Sequence, residues 1–323
     1  MVFPVKQLLM KRSFILLLLG FLSLLSILIG AKNINFMQLN SHDLYILFTS
    51  RFPRLISILI VGSSMSIAGL IMQTITKNKF VSPSTAGTVE WSRFGVLIAI
   101  LFFGTASTFV KMSVAFICSL LGSLLFLKLL TKIQFKNSIL IPLIGIMLGN
   151  VVYAITTFFA YRYDLVQNMT SWLQGNFTLV IRGRYELLYI GIPFLILGYL
   201  FANKFTIAGM GRDFSRNLGL NHDQVVAMGL IIVAMITSAV LVSVGSISYL
   251  DLIIPNIVSL YKGDNLKNTI FDTALLGATF VLACDILGRV LIFPYEISIG
   301  VIVSTIGSGL FLWMILRRTR NAV

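Results

Sequence analysis

Cysteine and histidine are nearly absent from this chain, two of each in 323 residues. Cys118 and Cys284 both fall inside apolar runs, while His42 and His222 lie far apart in different loops. That excludes a disulfide framework and gives neither metal-ligand spacing nor a paired-histidine catalytic centre. Charge is scarce too. Asp, Glu, Lys and Arg make up 11% of the chain, against about a quarter in an average soluble domain, so a water-soluble globule is excluded. A phosphate-binding G-x-x-x-x-G-K-[ST] stretch is also missing, and with it the usual means of hydrolysing ATP.

What is present is apolar sequence. Hydrophobic residues reach 57%, and mean hydropathy is +0.95. Apolar runs of about 18 residues or more recur along the whole length, each enough to cross roughly 30 Å of hydrocarbon. A transmembrane barrel would show alternating ten-residue segments instead, and none is seen. The chain therefore reads as one all-α integral membrane domain, residues 1–323. Ten spans are predicted, at 13–31, 54–75, 84–104, 112–130, 139–160, 186–203, 224–245, 249–262, 269–291 and 298–316. The eighth is short and the third ambiguous. The opening "MVFPVKQLLMKR" and its apolar run resemble a signal peptide, but the run is too long for one and reads as a retained first helix.

Net charge is +14, with the basic residues gathered at helix ends. That distribution points to membrane topology rather than to nucleic acid. With a cytoplasmic N-terminus, sixteen Lys and Arg fall inside and eight outside, so both termini are expected in the cytoplasm and the chain in the cytoplasmic membrane. Arg51, Arg54 and Arg289 break the bias. They read either as interfacial arginines snorkelling from helix ends or as forks for partner carboxylates. Pro53 suits the first turn of the helix behind them, and Asp285, four residues before Arg289, can pair with it along one helix.

Small residues mark the packing faces. Gly62, Ser63, Ser64, Ser66, Ala68 and Gly69 line the second span, and Gly145 and Gly149 repeat that spacing in the fifth. Two connections carry structure of their own. The first, 171–186, has Trp172 as an interfacial anchor. The second, 207–225, places Phe214 and Leu218 among polar residues, as short surface helices do. Glu90 and Arg93 form an i,i+3 pair inside the third span, and Asp251 stands at the start of the eighth. Ionisable groups at such depth either neutralise one another or face a polar pathway.

Several stretches resemble the FecCD-type permeases of bacterial ABC importers, which carry ferric siderophores, haem or cobalamin. "RFPR" at 51–54 with Gly62, Gly69 and Gln73, then Asn78, Pro83 and Gly87, are similar to one motif of that family. Asp285, Arg289, Glu296, Gly300 and Gly307 fall in step with another. "GSISYLDLIIPNIVS" (245–259) departs from a third, with Asp251, Asn256 and Ser259 where glycine, histidine and arginine are usual. The likeness covers nearly the full chain. It implies a ten-helix permease subunit that pairs with a second permease, identical or related. It also implies a cytoplasmic ATPase that binds the ATP, and an extracytoplasmic binding lipoprotein. The subunit would need no cofactor of its own.

The resemblance further implies that Arg51, Arg54 and Arg289 sit exposed on the outer face and dock glutamates of the binding protein. Within 207–225, Arg212, Phe214, Arg216 and Leu218 would engage the ATPase. Glu90, Arg93 and Asp251 are candidates for the pathway. The cargo is expected to be a ferric siderophore, a catecholate among the choices, with haem and cobalamin as alternatives. A proton-coupled secondary transporter is the competing reading, because the same three residues could relay protons.

Overall fold

The computed structural model of the protein describes residues 11–30, 40–83, 87–132, 140–178, 180 and 185–320. Residues 84–86 of the third predicted span lie outside them, as do Lys6, Lys32, Lys136, Arg182 and Arg184.

The described chain is helical. α1 (Arg12–Leu28) is followed by α2 (Ser41–Ile46), a π-helical turn (Leu47–Arg51) and α3 (Phe52–Thr76). Then come α4 (Thr88–Phe103), α5 (Thr108–Lys132), α6 (Leu140–Arg162) and α7 (Val166–Leu173). A 3-10 turn (Glu186–Ile190) leads into α8 (Gly191–Leu200), α9 (Ala202–Met210), α10 (Arg212–Asn217) and α11 (His222–Ser243). α12 (Leu250–Lys262), α13 (Leu266–Val290) and α14 (Ile299–Arg320) complete the order. Within the described residues, all ten predicted spans fall on helices. Five are long and apolar enough to cross a membrane by length and composition alone, and Arg12–Leu28 and Ile299–Met314 are shorter apolar helices. The sixth predicted span is a broken one, because Glu186–Leu200 and Ala202–Met210 meet at 59°. α12 has 13 residues, a rise of only about 20 Å.

α3 is the central post. α1, α8, α9, α11, α12 and α13 all pack on it. Its small-residue face explains how they fit. A Cβ on Gly62 would stand 2.7 Å from backbone atoms of Gly277 and Ala278 in α13, and one on Gly69 would stand 1.8 Å from the carbonyl oxygen of Asp251 in α12. Without side chains at those points the backbones approach closely enough for dense van der Waals contact, which drives helix association where lipid removes the hydrophobic contrast. Gly87 and Gly149 do the same for α4 and α6. α6 packs chiefly on α4 and leaves much of its surface uncovered.

Ion pairs gather at two opposite ends of the bundle. At one, Arg12 and Lys262 both reach the fully buried Asp272 at 2.8 Å, and Lys79 pairs with Asp264. At the other are Arg51, Arg54, Asp285, Arg289 and Glu296. Residues that charge counting assigned to one side of the membrane thus meet in space.

Candidate functional site

The last carbonyls of a helix have no partner within it, and in a low-dielectric setting each must find a donor. At the end of α1 two arginines from elsewhere supply them. Arg51 donates to the carbonyls of Ile27 and Leu28. Arg289 donates to those of Ser26 at 2.9 Å and Ile29 at 3.0 Å, and to the Ser26 hydroxyl at 2.6 Å. Both charges also complement the negative end of the α1 dipole. The expectation that these two side chains are exposed is corrected by this arrangement: Arg51 is 8% and Arg289 5% accessible. Their guanidinium groups are turned inward because the α1 carbonyls need them.

Arg54 behaves differently. It donates to Asp285 Oδ1 from Nη2 at 2.8 Å and to both oxygens of Glu296 from Nη1, at 3.1 and 2.9 Å. Asp285 is shared, since Arg289 pairs with its other oxygen along α13. Glu296 also accepts a 2.6 Å bond from the Thr178 hydroxyl. Burial pushes the Glu296 carboxyl up, but the charge of Arg54 and the bonds from Thr178 and Arg54 outweigh it, so the group titrates below the usual carboxylate range. A depressed carboxylate stabilises the fold fully above its unfolded value, about 4.3, and loses that contribution as pH falls through the folded one. Wild type should therefore melt above Glu296→Gln at neutral pH, and the gap should close on acidification below about pH 4. A gap that stays constant from pH 7 to 3 would contradict the assignment.

A cavity of about 230 Å³ opens beside this network, lined among others by Arg51, Arg54, Arg289, Thr178 and Glu296. All three arginines border it, and Arg54 alone among them has its guanidinium wholly on carboxylates.

At the opposite end, 207–225 holds one short helix, α10, between the end of α9 and the start of α11. Gly211 at φ +124° and Gly219 at φ +74° bracket it, conformations that L side chains resist. Ser215 is its buried residue, its hydroxyl within reach of the Gly211 carbonyl of its own first turn at 2.7 Å and of the Ile207 carbonyl of α9 at 3.2 Å. The other face is presented outward. Phe214 is 47% and Leu218 55% accessible, with Arg212 and Arg216 exposed beside them and Arg212 paired to Asp223.

Glu90 and Arg93 are brought together, at 3.5 Å, and the Arg93 guanidinium lies 5.1 Å from the Tyr153 ring of α6. Asp251 is not part of this cluster. It is 2% accessible, at the start of a helix packed on α3, α13 and α14.

The profile of the FecCD transport family matches residues 15–317. The chain belongs to the FecCD transport family. Among relatives in that family, the petrobactin import system permease protein YclN of Bacillus subtilis is 57% identical over 97% of this chain and 100% of its own length. The ferric-anguibactin transport system permease protein FatD of Vibrio anguillarum is 36% identical over 84% of this chain and 86% of its own. In fold, the chain is similar to one from a metal-chelate type ABC transporter solved in an inward-facing conformation. The TM-score there is 0.81 at 24% identity, covering 94% of this chain and 97% of that one.

Two departures from the FecCD pattern acquire a physical reason. Asn256 donates from Nδ2 to the carbonyls of Lys79 at 2.8 Å and Leu252 at 2.7 Å. Ser259 accepts from Lys79 at 2.6 Å and donates to Asp264. They tie the turn after α3 to the end of α12. Ser26, Thr178 and Ser215 carry roles that sequence reasoning missed. Their partners lie in other elements or depend on a turn geometry, so no local pattern marks them. Glu296 was visible in its motif, but its pairing with Arg54 was not.

Proposed function

We propose that this FecCD chain is the permease subunit of an ABC importer that moves a ferric siderophore across the cytoplasmic membrane. The observation that carries the reading is the 57% identity to a petrobactin import permease across nearly the full length of both chains. A cytoplasmic ATPase would power it, an extracytoplasmic binding lipoprotein would feed it, and a second permease subunit would complete the pathway. The Arg54 end then faces outward and the Arg12 end inward, with both termini in the cytoplasm.

Docking on the outer face falls chiefly to Arg54. A carboxylate of the binding protein entering the adjacent cavity would exchange with Glu296 on the guanidinium fork, while Arg51 and Arg289 hold the end of α1 in place behind it. On the inner face, Phe214 and Leu218 would fill an apolar groove of the ATPase as helix-borne anchors, flanked by Arg212 and Arg216.

Uptake of a ferric siderophore into vesicles carrying the whole importer is expected to require ATP and to survive collapse of the proton gradient. The reverse dependence would support a secondary transporter instead. Phe214→Asp and Leu218→Asp should each lower ATP-driven uptake about tenfold or more, because burying a carboxylate in an apolar groove costs well over about 1.4 kcal/mol. Membrane insertion should be retained. Uptake at the wild-type rate in both variants would remove α10 from the coupling interface.

A further inference from the structure

Three features mark the Glu90–Arg93 pair. First, it lies at mid-depth. Tyr153, over whose ring the Arg93 guanidinium lies, is thirteen residues beyond Leu140 in a 23-residue helix, roughly 20 Å along a rise of about 35 Å. Second, it lies on the surface of the subunit: the two side chains are 25% and 34% accessible. Ionised groups at such depth face a water-filled or protein-lined space rather than lipid. Third, the pair is loose. Glu90 Oε2 and Arg93 Nε approach to 3.5 Å, and neither atom has a hydrogen-bond partner.

α6 extends the same surface. Asn150, Tyr153, Thr157 and Tyr161 recur at helical spacing along one face, each exposed or half-buried. Val151, Ile155 and Phe158 form an adjoining flank that is exposed and wholly apolar. From Asn150 onward one side of the helix suits lipid and the other a polar lumen, whereas Leu143 and Ile146, exposed on the same face before it, are apolar. The ring holds the guanidinium by cation–π attraction without consuming an N–H, so its donors can serve an incoming anion.

We propose, resting on the siderophore-permease reading above, that Arg93 on Tyr153 is the contact through which the pathway recognises an anionic, oxygen-rich ferric chelate. Glu90 holds the guanidinium between passages and yields it when the cargo's carboxylate or phenolate oxygens arrive. The site therefore selects for negative charge on the cargo, and Glu90 sets how readily Arg93 is released.

Two measurements on the whole importer in membranes test this. In a background with Cys118 and Cys284 replaced by alanine, Asn150→Cys and Tyr153→Cys should react with a membrane-impermeant sulfonated thiol reagent, and Ile155→Cys only with a lipid-soluble one. Labelling of Ile155→Cys alone by the charged reagent, or of none of the three, would overturn the assignment of this face. In uptake assays with one anionic and one neutral ferric chelate, Arg93→Gln should lose at least tenfold of the preference for the anionic one, and Glu90→Gln should increase that preference. If Arg93→Gln does not accumulate, the double variant Glu90→Gln with Arg93→Gln balances the charge and carries the same readout. A double variant that folds and keeps the wild-type preference would show a purely structural pair and end the proposal. Failure of the importer reading itself would look different: wild-type uptake would then not depend on ATP.

Discussion

Asp285→Ala is expected to lower the stability of the folded subunit by about 3–5 kcal/mol, the usual consequence of stripping one partner from a buried ion pair. Asp285 is 3% accessible and sits between two cations, accepting from Arg54 and from Arg289. Its removal leaves Arg289, itself 5% accessible, with only neutral acceptors from α1. Arg54 retains Glu296, so the larger damage falls on the α1–α13 contact. Asp285→Asn keeps the shape and an acceptor and should cost less than the alanine. Thermal unfolding of the purified subunit in one detergent, with yield of the monodisperse species, measures both. Equal midpoints for wild type and Asp285→Ala would show that the network contributes nothing to the fold.

An effect of similar size is expected from a single methyl group. A Cβ on Gly69 would stand 1.8 Å from the Asp251 carbonyl oxygen and 2.6 Å from its carbon. These are backbone atoms, so no rotamer change can relieve the overlap, and α12 as a whole must move off α3. Inserting atoms into a packed core commonly costs about 1–3 kcal/mol, and a backbone clash this deep belongs at or above the top of that range. Gly69→Leu should then prevent accumulation of folded protein. Gly20 supplies the control, because a Cβ there meets nothing within 4 Å, and alanine in a helix is favoured over glycine by roughly 1 kcal/mol. Gly20→Ala should be neutral or slightly stabilising. A Gly69→Ala subunit that melts with the wild type would mean that α3 and α12 do not pack as described.

The helical membrane architecture was legible in the sequence, because hydropathy and helix length are local properties read against a fixed bilayer thickness. Within the described residues all ten predicted spans fall on helices, one of them broken, and the small-residue face of α3 meets its neighbours' backbones closely. The family was legible as well, since its motifs are short and ordered. The exposure of Phe214 and Leu218 followed from two apolar residues set among polar ones with nothing nearby to bury them. The arginines were a different matter. Charge counting found that Arg51, Arg54 and Arg289 needed a reason, and i,i+4 spacing gave Asp285 as a partner of Arg289, but the contacts with other elements were hidden. Those distant partners are the α1 carbonyls, 23 to 263 residues away, and two carboxylates that lie 231 and 242 residues from Arg54. Only the packed bundle decides that the free carbonyls of one helix end beside the guanidinium groups of two others. The same holds for Asp251, which folding hides behind α3, and for Arg93, which folding sets against Tyr153 on another helix. A side chain's chemistry is written in the sequence, but whether it meets lipid, water or a partner depends on the helices around it, and in a low-dielectric bundle that neighbour determines whether a charge is a lock or a site.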